Sequence, residues 1–114
     1  MKIGEIYLVE LPSTDAREQR GLRPAIILQD ERYTRILPTT LVVPLTSQLK
    51  AQGFPGTLLI KTNKENGLEK DSVALIFQLR AIDQRRIRNR LGKLKDEEMD
   101  KIYRKIQSLI KIEI

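Results

Sequence analysis

The chain has 114 residues, a length expected to make one domain spanning 1–114 with its own core. Its 21 Lys and Arg outnumber 15 Asp and Glu, and 40% hydrophobic against 32% charged residues fits a folded chain rather than a disordered one. With no His and no Cys, disulfides, thiolate chemistry and imidazole catalysis are excluded, and any catalysis falls to arginine, hydroxyls, amides and carboxylates. No apolar run approaches the roughly 18 residues of a membrane span, and the N-terminus lacks the long apolar stretch of a signal peptide. The expected location is the cytoplasm, with no membrane partner.

Residues 6–11 are β-prone and close at Pro12, and a polar loop follows to Leu22. Residues 24–29 form a nearly continuous apolar run, expected to be a strand buried on both faces. Residues 30–40 read as polar and irregular. Residues 41–45 read as a strand, and Pro44, which cannot donate to a ladder, suggests an edge or a bulge near its end. A loop over 46–56 leads to a strand at 57–60, and Asn66-Gly67 marks a turn within 61–71. Residues 72–82 read as one long apolar strand, and 90–94 as a short last one. From Asp96 the period changes. Met99, Ile102, Tyr103, Ile106, Leu109 and Ile110 repeat at helical spacing, with Asp96 as the expected N-cap and acids crowding the first turn. Short strands followed by one amphipathic helix suggest a mainly β fold, a small bent sheet or barrel with the helix packed on it. An exposed apolar edge on such a sheet would favour a dimer.

The charge is unevenly placed. Residues 80–95 carry seven Lys and Arg against Asp83 alone, which accounts for the whole net excess of +6. Such a block either attracts a polyanion through counterion release or forms a solvated basic face. No metal-ligand pattern is visible. Only carboxylates remain, and Asp96, Glu97, Glu98 and Asp100 read better as a helix start than as ligands. No phosphate-binding glycine loop is present. Arg23 stands before Pro24, which holds its backbone extended, and its planar fork of donors suits phosphate oxygens. A surface arginine at a strand start is the plainer alternative. Thr46 and Ser47 end an apolar run, where hydroxyls either bind a phosphate oxygen or close a turn. Gln78 and Arg80, two apart on the expected long strand, would share one face as a polar sheet end or as part of a site.

Together these residues resemble the MazF/PemK family of toxin endoribonucleases from bacterial toxin–antitoxin modules. The likeness runs from Gly4-Glu5-Ile6-Tyr7 through Glu18-Gln19-Arg20-Gly21-Leu22-Arg23-Pro24, Val43-Pro44-Leu45-Thr46-Ser47 and Asp71-Ser72-Val73-Ala74-Leu75. It continues through Gln78-Leu79-Arg80-Ala81-Ile82-Asp83 and Leu91-Gly92-Lys93-Leu94 to the terminal helix. The resemblance implies an SH3-like barrel with a C-terminal helix, assembled as a homodimer. It implies metal-independent, cofactor-free cleavage of single-stranded RNA at short motifs, leaving a 2′,3′-cyclic phosphate and a 5′-hydroxyl. Arg23 and Thr46 match the family's catalytic residues. Glu18, Gln19, Arg20, Ser47, Gln78 and Arg80 fall in segments expected near the RNA. The position before Gln78, often acidic or amide in the family, is Phe77 here, so base preference does not carry over. The implied protein partner is an acidic antitoxin. Two other readings share the fold: a silent nucleic-acid-binding module, and a toxin that poisons DNA gyrase. The latter depends on a tryptophan-containing tail, and this chain has no tryptophan.

Overall fold

The computed structural model describes residues 1–11 and 21–111. The expected RNA-loop residues Glu18, Gln19 and Arg20 lie outside that range.

Seven strands make one antiparallel sheet, and their order places the site. They are β1 (Glu5–Leu11), β2 (Gly21–Ile27), β3 (Thr39–Thr46), β4 (Thr57–Ile60), β5 (Ser72–Leu75), β6 (Arg80–Asp83) and β7 (Ile87–Lys93). The order is β4-β5-β3-β2-β1-β7, with β6 also pairing β3. Two α-helices, α1 (Glu31–Thr34) and α2 (Asp96–Ile110), and three short 3₁₀ turns complete the described chain. This is the expected mainly β fold with a C-terminal helix.

β2 and β3 lie mid-sheet and are apolar on both faces. Ile26, Val43 and Leu45 point into a core with Ile6, Ile60, Ile76, Met99 and Ile102. Their alternating neighbours Ala25, Ile27 and Val42 point into a second core with Val9, Leu11 and Ile82. A strand between two cores reads as a continuous apolar run rather than an alternation. β2 nevertheless begins at Gly21 and ends at Ile27. It starts earlier than expected because Leu22 and Arg23 pair with Glu10 and Val9 of β1 although neither is buried.

The expected long strand over 72–82 is broken. Its first part, β5, pairs with the end of β3 at Leu45↔Ala74 and Thr46↔Val73. Its last part, β6, pairs with the start of β3 from Val42↔Arg80 to Thr39↔Asp83. From Val42 to Leu45 is three steps along β3, but from Ala74 to Arg80 is six. The 3₁₀ turn Ile76–Gln78 takes up the difference. Apolarity continues through the turn because Ile76 is fully buried, so the sequence pattern carries no sign of the break. Gln78 and Arg80 therefore do not share a strand face.

Pro44 sits at this changeover, not at an edge. Leu41's carbonyl accepts the amide of Leu28, the residue that follows β2, so by strand alternation the nitrogen of Pro44 faces away from β2. It faces the gap where β3's other neighbour changes from β6 to β5. A missing N–H costs the ladder nothing there.

β7 starts at Ile87, earlier than expected, because its arginines hide the pattern of a strand that is half exposed. They pair with β1 instead: Arg88 with Glu10, joined by Arg86 from the turn before β7, and Arg90 with Glu5 at 2.6 Å. Burial raises the Glu5 carboxyl, but the Lys2 amide and the Arg90 guanidinium outweigh it and hold it below its ordinary value.

The two sheet edges are joined by the loop between β4 and β5. Lys93 N–H donates to the Glu65 carbonyl at 3.0 Å. Asn66 is fully buried there; its Oδ1 accepts the Leu68 amide (3.1 Å) and its Nδ2 donates to the Lys61 carbonyl (2.9 Å). Gly67 has a φ of +67° and lies against the Leu91 backbone. The Asn66-Gly67 turn signal thus serves close packing on β7 rather than a tight hairpin.

α1 falls in the segment read as irregular; at four residues it is too short for a period to register. α2 begins as expected, but its N-cap is Lys95, whose N–H is held by Glu98 Oε1 at 3.0 Å; Asp96 is the first helical residue. Met99 and Ile102 enter the core with Ile106 beside them, while Tyr103, Leu109 and Ile110 on the same stripe are exposed.

Asp83 caps the 3₁₀ turn that leads into β7. Its Oδ1 accepts the Arg85 amide at 2.9 Å, and its carboxylate grips the Arg85 guanidinium at 2.8 Å. The guanidinium first, and the amide second, hold the carboxyl at about 2. A lowered value means the contribution is full above the ordinary carboxylate value and is lost as pH falls through about 2. In an NMR titration the Asp83 carboxyl should turn over near that pH, and Arg85→Ala should move its midpoint up towards 3.8. An unchanged midpoint in the variant would contradict this account.

Candidate active site

Arg23 and Thr46 come from neighbouring strands. The β2–β3 register ends at Ala25↔Pro44. Two residues further out on each strand stand Arg23 and Thr46, which alternation places on the same sheet face as Ala25 and Pro44. Arg23 is exposed, opposite Val9 of β1. Thr46 is buried, opposite Val73 of β5, and its Oγ1 accepts the Gln48 amide at 3.2 Å. The threonine therefore does close a turn, and in doing so fixes its oxygen and leaves its proton to donate elsewhere.

Two clefts flank this end of β3. Thr46 lines the larger, about 1030 Å³, together with Gln78, Arg80, Lys50, Phe54 and Phe77. The smaller, about 460 Å³, is lined by Arg23, Ser47, Lys70, Glu69 and Asn89. Successive residues at the end of β3 thus open on different clefts. Gln78 lies on the 3₁₀ turn and Arg80 at the start of β6, half-buried, opposite Val42. The structure brings Thr46, Gln78 and Arg80 to one cleft, and Arg23 and Ser47 to its neighbour.

Sequence reasoning missed Phe54 and noted Phe77 only as a departure from the family pattern before Gln78. Phe54 ends the 3₁₀ turn Leu49–Gly53 and Phe77 sits in the turn Ile76–Gln78. The signal was slight: they are the chain's two phenylalanines, Phe54 in a loop between Gly53 and Pro55 and Phe77 inside the apolar run 72–82. Among the described residues no three Asp or Glu side chains converge to hold a metal ion. No described helix is long and apolar enough to cross a membrane.

An antiparallel sheet with an arginine and a buried hydroxyl at the end of two central strands, beside clefts lined by Lys and Arg, puts the chain in a class of small β proteins with basic clefts. Comparison narrows the class: residues 2–110 match the model of the "PemK-like, MazF-like toxin of type II toxin-antitoxin system" family, and the chain belongs to that family. It is 35% identical over 107 residues to "Endoribonuclease EndoA" of Bacillus subtilis (strain 168), a match covering 94% of this chain and 91% of that protein. The fold is shared with MazF from Deinococcus radiodurans, with a TM-score of 0.82 at 23% identity, covering 98% of this chain and 97% of that one. It is shared also with a mycobacterial endoribonuclease solved in complex with its cognate antitoxin, with a TM-score of 0.79 at 15% identity over 100% and 98% of the two chains.

Proposed function

We propose that this chain is a metal-independent endoribonuclease toxin that cuts single-stranded RNA, with residues 1–114 as one domain acting in the cytoplasm as a homodimer. The observation that carries the reading is that Arg23 and Thr46 stand beyond the last β2–β3 pair, Ala25↔Pro44, at the open end of these neighbouring strands, in a chain of a toxin family whose relative EndoA is named an endoribonuclease.

The ribose 2′-hydroxyl attacks the adjacent phosphorus in line. The 2′-O–P bond forms as the P–O5′ bond breaks, the 2′ proton leaves, and the departing 5′ oxygen gains a proton. The RNA supplies its own nucleophile, so the protein has to orient the backbone and stabilise charge on the non-bridging oxygens. Arg23 takes that charge with its fork of donors, and second to that it hands a proton to the leaving oxygen; a guanidinium is too basic to serve as general base near neutral pH. The Thr46 hydroxyl, anchored by the Gln48 amide, gives a hydrogen bond to one oxygen. Ser47, Gln78 and Arg80, with Glu18, Gln19 and Arg20, position the strand. An acidic antitoxin segment that folds over the basic clefts would compete with RNA for the same surface.

The test is purified protein with a long single-stranded RNA in EDTA. Discrete fragments with cyclic-phosphate ends are expected, and an all-deoxy strand of the same sequence should bind without being cut. Intact RNA, or cleavage of the deoxy strand, would overturn the reading.

A further inference from the structure

Asn66-Gly67 is the one asparagine–glycine step in the chain; the other asparagines, Asn63 and Asn89, precede Lys64 and Arg90. Such a step is chemically weak. Glycine has no side chain to shield its backbone nitrogen, so that nitrogen can reach the side-chain carbon of the asparagine before it. The fold closes tightly around these same two residues. Asn66 is fully buried. Its Oδ1 accepts the amides of Asn63 (3.3 Å) and Leu68 (3.1 Å), and its Nδ2 donates to the Lys61 carbonyl (2.9 Å). The Asn66 amide donates in turn to Asn63 Oδ1 (2.9 Å). Gly67 is fixed at a φ of +67° against the Leu91 backbone, and Gly92 packs on the backbone of Glu65 and Asn66.

We propose that Asn66 is a site of self-modification: it deamidates when the 61–71 loop lifts from β7, and the change prevents the loop from closing again. The Gly67 nitrogen attacks Asn66 Cγ. The N–Cγ bond forms, the Cγ–Nδ2 bond breaks, and ammonia leaves with the amide proton, which gives a succinimide. Water then opens the ring at either carbonyl and leaves aspartate or isoaspartate. In the closed loop the step is blocked, because the side-chain amide is held at both its oxygen and its nitrogen and the Gly67 backbone cannot turn. Neither product fits the place that Asn66 leaves. Aspartate puts an oxygen where Nδ2 stood, so a buried carboxylate faces the Lys61 carbonyl, acceptor against acceptor. Isoaspartate adds a carbon to the main chain where Gly92 leaves no room for one. The consequence reaches the site. Gly67, Leu68, Glu69 and Lys70 form one wall of the smaller cleft, which Arg23 and Ser47 line from the other side. A chain that has deamidated loses that wall, whatever the cleft binds.

The experiment ages the full-length wild-type chain in native buffer and in denaturing urea at one mildly alkaline pH. Peptide mapping by mass spectrometry, with isoaspartate methyltransferase labelling, follows all three asparagines. In urea Asn66 should convert first. In native buffer it should convert at least about 10-fold more slowly than in urea, since each event waits on an opening of the loop. Equal rates in the two conditions would overturn the proposal. Gly92→Ala leaves the Asn66-Gly67 step intact and loosens the seat of the loop on β7. Its conversion in native buffer should rise about 5-fold or more over wild type, with the urea rate unchanged; no rise would also overturn it. If that variant does not fold, wild type in urea well below its unfolding transition takes its place. Conversion at Asn66 should then climb with each increment of urea, and a flat response counts against the proposal. Chains aged in urea are finally returned to native buffer. Those with aspartate or isoaspartate at position 66 should stay in the unfolded fraction while unmodified chains refold. Modified chains that regain the wild-type melting midpoint would show that the change does not bar closure.

Discussion

Arg23→Ala should cut RNA at least about 100-fold more slowly than the parent, the loss typical of removing one donor aimed at a developing oxyanion. Most of the loss should appear in kcat, since the guanidinium matters most when charge gathers on the phosphoryl oxygens. Arg23→Lys keeps the charge but gives up the planar, bidentate fork, so it should fall between the two. Thr46→Val, which keeps the shape and removes the hydroxyl, should lose less than Arg23→Ala, because a neutral donor is worth less than a charged one. Single-turnover cleavage with a thermal melt on each variant separates loss of chemistry from loss of fold. Full activity in Arg23→Ala would remove the centre of the mechanism.

The largest effect on stability is expected where two glycines let the 61–71 loop lie on β7. A Cβ on Gly67 would overlap the Leu91 carbonyl oxygen and come within 2.7 Å of its carbon, at a φ of +67°. A Cβ on Gly92 would overlap the Glu65 carbonyl oxygen and stand 2.5 Å from the Asn66 carbonyl carbon. Backbone atoms cannot swing aside as the end of a side chain can. Relief would require parting the loop from β7, at the expense of the Lys93–Glu65 hydrogen bond and the buried Asn66 contacts. Overpacking and left-handed strain together should make Gly67→Ala cost about 2–5 kcal/mol. Gly92→Ala lacks the strain and should cost about 1–3 kcal/mol. Gly53→Ala is the control: nothing lies within 4 Å of its Cβ position, so it should stay within about 0.5 kcal/mol of the parent. Urea melts of the three read the order directly, and equal midpoints would mean that the loop yields where the packing says it cannot.

Local signals carried β1, the apolar part of β2, β4 and α2, because these strands are short β-prone or apolar runs between breakers and the helix keeps its period in the sequence. What stayed hidden was set by partners rather than by the segment itself. Ser72 to Ile82 is apolar throughout, yet it breaks at Ile76–Gln78 because β3 has to be shared between β5 and β6. β7 is written in arginines whose strand conformation depends on Glu5 and Glu10 of β1. Pro44 was legible as a break in pairing, but which ladder it interrupts is a property of the sheet. At the site, Arg23 and Thr46 could be read from their motifs and from the family resemblance. The common strand face assigned to Gln78 and Arg80 disappeared with the long strand. The meeting of Phe54 and Phe77 escaped notice because it is made by two turns distant in sequence.

The pairing of β1 with β7 also bears on how the protein is made. Residues 5–11 leave the ribosome early, but their second edge finds its partner only when residues 87–93 have followed. The loop that joins β4 to β5 needs the same late strand before Asn66 and Gly67 have anything to pack on. β2, which carries Arg23, leans on a β1 that is therefore half-supported through most of translation. A nascent chain of this topology emerges with its arginine in place in the sequence and its barrel still open, so assembly of the finished surface waits on the last strand.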